Sequence, residues 1–146
     1  LYKGAHLADE KNRLGEALGL FDDKKLLQKA LDFSLSKDVR PQDVFSIFRS
    51  VARNPKGRLL AWQFVKKNWP KFVKIYGAGG HIISKVIEPL GANVDAKVAD
   101  DIERFFKSQK SVGVERTVSQ VLDTIRAIAE WKKRDAKKIE SWLEKY

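Results

Sequence analysis

Within Val51–Trp69, VARNPKGRLLAWQFVKKNW, a helix-stopping turn runs into an amphipathic segment carrying two tryptophans, and this junction restricts the chain to packed helices more than any other stretch. Proline disfavours the helical region for the residue before it, so Asn54 ends one helix. Pro55 then supplies a preset φ at the first turn of the next. Leu59, Trp62, Val65 and Trp69 recur at helical spacing, and Leu60, Ala61 and Phe64 widen the stripe. Gln63, Lys66 and Lys67 fill the remaining arc. Such a helix buries a broad face against neighbours.

The rest of the chain repeats the pattern. Asp22-Asp23 can cap a segment in which Leu27, Ala30, Leu31 and Ser34 share one side. Pro41 opens the next helix, with Val44, Phe45, Phe48, Val51 and Ala52 as its apolar face and Gln42, Ser46, Arg49 and Arg53 opposite. Pro70 is expected to break or bend the tryptophan helix, and Gly77-Ala78-Gly79-Gly80 to end its continuation. A short apolar helix carries Ile83, Val86, Ile87 and Leu90. Asp95 can cap a segment with Val98, Ile102, Phe105 and Phe106, and Ser108 to Gly113 reads as a loop. A long helix is predicted from about Val114 to Glu130, seamed by Val118, Val121, Leu122, Ile125, Ile128 and Ala129. A separate last helix is predicted on Ala136, Ile139, Trp142 and Leu143. No segment sustains two-residue alternation, so the expected class is all-α with essentially no sheet. Short connections favour antiparallel helix pairs, either in a bundle or in a curved stack.

At 146 residues the chain is long enough for one domain, burying roughly two-thirds of its unfolded surface. It has no cysteine, which excludes disulfides and thiolate metal sites and fits a reducing compartment; the expected location is cytoplasmic. No apolar run approaches the about 20 residues of a membrane span, so no membrane partner is expected. No methionine occurs and residue 1 is leucine, so the chain is read as a C-terminal segment of a larger polypeptide.

Catalytic chemistry is hard to place here. The only histidines, His6 and His81, lack the four-residue spacing that aims two imidazoles at one metal, and no cysteine assists them. His81 and Ser84 lie one helical turn apart, yet no orienting group or oxyanion feature accompanies them. Asp22-Asp23 and Asp100-Asp101 read as helix caps and first-turn charges. Gly77 to Gly80 lacks the Gly-Lys-Ser/Thr of a phosphate loop. No catalytic residue, metal ligand or cofactor site is therefore assigned.

Four motifs occur in a familiar order. Val39-Arg40-Pro41-Gln42-Asp43 is similar to a "VRxQD" turn, Asn54-Pro55-x-Gly57 to "NPxG", and Ala61-Trp62-x-Phe64-Val65-Lys66-x-Asn68-Trp69 to "AWxFLKENW". Glu115-Arg116-Thr117 through Ile125-Arg126-Ala127 and Trp131 is similar to "ERTLEQALETIRANxxWL". Together they resemble the C-terminal helical domain of zinc aminopeptidases of the aminopeptidase N, puromycin-sensitive and endoplasmic-reticulum type, a group that includes the archaeal tricorn-interacting factors. The resemblance implies helical hairpins stacked as a HEAT- or armadillo-like α-solenoid, with a helix bundle as the alternative. It also implies that the parent polypeptide is a zinc-dependent aminopeptidase whose metal sits in a separate, upstream catalytic domain. The exopeptidase signature, the zinc ligands and the substrate-amine motif are absent from these residues, so this segment alone should be inactive.

Charge is what remains to carry a function. The net charge is +10, and residues 37 to 90 hold eleven bases against three acids. Arg40, Arg49, Arg53, Lys56, Arg58, Lys66, Lys67, Lys71, Lys74 and Lys85 make up most of that excess. On the resemblance, the segment closes over the active site, and some of Arg49, Arg53, Lys66 and Lys67 favour the C-terminal carboxylate of a peptide substrate, a task suited to the arginine fork. The competing reading is a free-standing basic module that binds nucleic acid through lysines and stacks bases on Trp62 or Trp69. Both tryptophans fall on the apolar stripe and are expected to be buried, which disfavours it. Docking to a protein partner, or dimerisation, is a third possibility.

Overall fold

A computed structural model describes residues 1–77, 82–109 and 113–145. Among these residues the regular structure is entirely helical: α1 (Ala8–Leu18), α2 (Lys24–Ser34), α3 (Val44–Arg53), α4 (Arg58–Tyr76), α5 (Ser84–Ile87), α6 (Ala96–Ser108) and α7 (Glu115–Leu143), with 3₁₀ turns at Tyr2–Gly4, Pro41–Asp43 and Glu88–Ala92. The expected all-α class is what forms.

Local signals place the helix starts. The Asp23 carboxylate accepts from the Leu26 amide at 2.9 Å and Asp95 accepts from the Lys97 amide at 2.9 Å, so each satisfies a donor that the first turn leaves open. Leu27, Ala30, Leu31 and Ser34 are all buried, as their spacing requires. In α3 the buried face is Val44, Ile47, Phe48, Val51 and Ala52, with Phe45 half-buried. This helix is the hub: α1, α2, α4 and the Glu88–Ala92 turn all pack on it. Farther along, α6 packs on α7, and α7 on that same turn.

Close approach of α1 to α3 depends on two glycines four residues apart. A methyl at Gly15 would lie 2.9 Å from Ile47 Cγ1, and one at Gly19 would collide with Ser50. The Ser50 hydroxyl donates to the Glu16 carbonyl at 2.6 Å across the same contact. Asn54 then fastens the α3–α4 turn to the α1–α2 loop. Its amide nitrogen donates to the Gly19 and Phe21 carbonyls, each at 2.9 Å, and its amide oxygen accepts from the Lys56 backbone. Gly57 has an ordinary negative φ, so its need for glycine is steric: a Cβ there would strike the Val51 carbonyl.

Three helix expectations need correction. Pro70 neither breaks nor interrupts α4, which runs to Tyr76. A mid-helix proline costs about 3 kcal/mol, and here Trp69 and Phe72, both buried beside it, hold the helix on. Leu59 was placed on the buried stripe, yet it is 51% exposed, because it lies at the solvent rim in the first turn of α4. The two helices predicted after Val114 are one, Glu115–Leu143, since nothing between them stops a helix; only burial changes along it. Gly77 follows the end of α4 and Ser108 still belongs to α6, while Ala78 to His81 and Lys110 to Val112 lie outside the described residues.

The buried apolar side chains form one cluster reaching from Tyr2 to Ile125. Trp62 and Trp69, 1% and 3% exposed, meet the rings of Phe105 and Phe106 at centroid distances of 4.9 to 6.3 Å, joining α4 to α6. The steric demand at the α3–α4 turn is directly testable by urea unfolding. Gly57→Ala should cost about 2 kcal/mol, in the range of overpacking effects, whereas Gly4→Ala, which meets nothing within 4 Å, should stay within about 0.5 kcal/mol of the parent.

Candidate functional site

Where α1 ends against α3, an open cleft of about 490 Å³ is lined by Glu16, Gly19, Leu20, Arg49, Ser50, Arg53, Asn54 and Pro55. Arg49 and Arg53 stand one turn apart on the outer face of α3. The Arg49 guanidinium lies 2.9 Å from the Glu16 carboxylate, with both side chains about half exposed. Arg53 is exposed and makes no ion pair among the described residues. A second cleft of about 350 Å³ adjoins the first through Glu16 and Arg49 and is lined further by Gln42, Phe45, Ser46, Lys85 and the carboxylate-bearing Glu88. The Lys85 ammonium sits 5.8 Å from the centre of the Phe45 ring. Together the clefts follow the polar face of α3, with fixed and free positive charge along it.

Lys66 is placed otherwise. Its ammonium lies 2.6 Å from Asp101 Oδ2, the oxygen that also accepts the Trp62 indole N–H at 2.7 Å, and it sits 5.1 Å from the centre of the Trp62 ring. The hydrogen bond from Lys66, then that from Trp62, lowers the Asp101 carboxyl below its usual range. Lys66 therefore joins α4 to α6. Lys67 is exposed on α4, makes no ion pair among the described residues and does not line either cleft. Of the four predicted residues, the fold brings Arg49 and Arg53 together and leaves Lys66 and Lys67 outside their cleft.

Three of the remaining central bases are engaged. Arg40 grips the buried carboxylate of Asp43 at 2.7 and 3.1 Å, Lys56 pairs with Asp22 at 2.7 Å, and Lys71 donates to the Leu35 carbonyl. Asp43 also accepts from the Tyr2 hydroxyl at 3.4 Å, and burial, followed by the Asp43 charge, raises the Tyr2 pKa. Asp100 and Asp101 do not cap α6. They lie in its second turn, where Asp100 and Glu103 together hold Arg126 of α7 at 3.0 and 2.6 Å. Arg126 was missed as a structural cation because its partners are distant in sequence. The Glu103 carboxyl is held down at about 2, first by Lys107 and then by Arg126.

Little here can perform catalysis. Among the described residues no group of three or more His, Cys, Asp or Glu could hold a metal ion. His6 is exposed, and His81 lies outside the described residues. The buried Ser84 hydroxyl accepts from Thr117 at 3.0 Å, within the packing of α5 on α7. With both tryptophans of α4 buried, neither Trp62 nor Trp69 can stack a base as the nucleic-acid alternative expects.

Residues 1–127 match the family model described as the ERAP1-like C-terminal domain. The chain is 31% identical over 146 residues to endoplasmic reticulum aminopeptidase 1 of Homo sapiens, covering 98% of this chain and 16% of that protein. It is 30% identical over 137 residues to aminopeptidase 2, mitochondrial, of Saccharomyces cerevisiae (92% and 14%), and 26% identical over 147 residues to alanine/arginine aminopeptidase of the same yeast (100% and 17%). The chain thus spans 14–17% of the length of these relatives.

The carboxylates of α6 make stability depend on pH in a defined direction. Glu103 is lowered from 4.5 to about 2 in the folded chain, so its contribution is complete above pH 4.5 and is lost as pH falls towards about 2. Asp101 shifts in the same direction. Thermal unfolding followed across that window should show the midpoint falling, and Glu103→Gln should flatten the fall.

Proposed function

Because the chain belongs to the ERAP1-like C-terminal domain family, we propose that residues 1–146 form the non-catalytic C-terminal wall of a zinc aminopeptidase, which closes over the active site and binds the body or C-terminus of the peptide. On this reading catalysis and zinc are the work of an upstream domain of the same polypeptide; among the described residues no group of three or more His, Cys, Asp or Glu could hold a metal ion. The metal there would polarise the scissile carbonyl and its attacking water. Contacts of α1 with α3 and of α2 with α4 support a stacked, solenoid-like arrangement of hairpins over a simple bundle. No described helix is long and apolar enough to cross a membrane, and the lack of cysteine supports a reducing compartment such as the cytoplasm.

One observation carries the peptide-binding part: the exposed Arg53 guanidinium beside Arg49 in the α1–α3 cleft, which makes no ion pair among the described residues. A planar guanidinium offers two parallel N–H donors to a carboxylate. Glu16 restrains Arg49, so an arriving carboxylate meets one arginine already oriented and one open. Lys67 adds positive potential from α4 rather than direct contact, whereas the charge of Lys66 is matched by Asp101.

Steady-state kinetics of the full enzyme test this reading. Arg53→Ala should raise KM for long peptides about tenfold, the scale of one charge-assisted hydrogen bond, while leaving dipeptide-like substrates nearly unchanged. Adding Arg49→Ala and Lys67→Ala should widen the gap between long and short substrates. Equal changes for both substrate lengths would reject the proposal.

A further inference from the structure

The two clefts on α3 share Glu16 and Arg49, so they join into one trough along its polar face. Charge is unevenly spread along it. At one end stands Arg53, which makes no ion pair among the described residues. In the middle the Arg49–Glu16 pair, at 2.9 Å, cancels its own charge. At the other end α5 brings in Lys85, an exposed ammonium that also makes no ion pair among the described residues.

An aromatic ring, not a carboxylate, orients Lys85. Its ammonium lies 5.8 Å from the centre of the Phe45 ring, within cation–π range. Phe45 packs on Tyr76 at 4.9 Å between ring centres, and the Tyr76 hydroxyl donates to the Pro41 carbonyl at 2.6 Å. The ring thus presents the ammonium and leaves its formal charge in place. Glu88 borders the same cleft and is exposed, so it weakens the positive potential there without pairing with Lys85.

Spacing turns these two cations into a measure of sequence. At the helical rise of about 1.5 Å per residue, Phe45 lies about 12 Å along the axis of α3 from Arg53. An extended peptide covers about 12 Å in three to four residues. We infer that the trough selects long peptides with an acidic side chain three or four residues before the C-terminal one: the terminal carboxylate sits on Arg53 and the side-chain carboxylate on Lys85. This rests on the reading of Arg53 as the seat of the terminal carboxylate. Between the two anions the peptide crosses the neutral Arg49–Glu16 pair. There the Ser46 hydroxyl, which donates to the Asp43 carbonyl at 2.9 Å, keeps a lone pair for a peptide N–H.

Steady-state kinetics of the full enzyme, on long peptides differing at a single position, test the inference. Glutamate three or four residues before the last should lower KM about threefold relative to glutamine, the scale of an exposed ion pair. Moving the glutamate to the residue next to the last should remove the gain. Lys85→Ala should make the glutamate and glutamine peptides equal, Lys85→Arg should keep the preference, and Lys85→Glu should turn it towards lysine. Glu88→Gln should widen it. The inference is overturned by equal KM values for the two peptides in the parent enzyme, by a preference that survives Lys85→Ala, or by one that is the same at every position. Equal KM values with the length-dependent effect of Arg53→Ala intact defeat this inference alone. A Lys85-dependent preference at the stated spacing without that Arg53 effect defeats the Arg53 anchor and leaves the Lys85 subsite standing.

Discussion

The contact of Trp62 and Trp69 with Phe105 and Phe106 is the joint that ties α4 to α6, and with the Glu88–Ala92 turn packed on both α3 and α7 it holds the first helices to the last two. These four rings, most of them meeting edge to face, fill the space between α4 and α6, and aromatic pairs of this kind add to simple area burial. A buried indole N–H would normally be a liability. Asp101 removes it by accepting from Trp62, and Lys66 neutralises the carboxylate that does so. The joint therefore includes its own polar compensation, and one of the most conspicuous basic residues of the sequence belongs to it.

Much of this was legible from residue order, and the limit is physical. Faces with regular spacing, such as Leu27, Ala30, Leu31 and Ser34, report burial because a helix places them together whatever surrounds it. Caps at Asp23 and Asp95 are equally local. The readings that failed depend on partners far along the chain. Asp100 and Asp101 looked like caps until Arg126 and Lys66 came within reach, and Gly15 and Gly19 had no visible purpose until α3 lay against them. Pro70 looked like a break because propensity was weighed without the burial of Trp69 and Phe72. In the candidate site, the exposed polar face of α3 carrying Arg49 and Arg53 could be read from spacing. The grouping with Lys66 and Lys67 could not be tested that way, since it requires knowing which carboxylates come near.

The central excess of positive charge shrinks once the fold is known. Arg40, Arg49, Lys56 and Lys66 each meet a carboxylate, and the exposed bases without an ion pair among the described residues include Arg53, Lys67, Lys74 and Lys85. Net charge describes long-range attraction and solubility. Recognition depends on which cation is left with an open fork, and on the shape of the surface that presents it.

Asn54 adds a mechanical aspect to that presentation. It borders the cleft next to Arg53 while its amide spans to the loop leaving α1, so the arginine stands on a buttressed ledge instead of a swinging arm. A guest docking there would freeze few backbone torsions in its host. The entropic toll of capture would fall mainly on the guest, so stiff guests should gain most from this ledge.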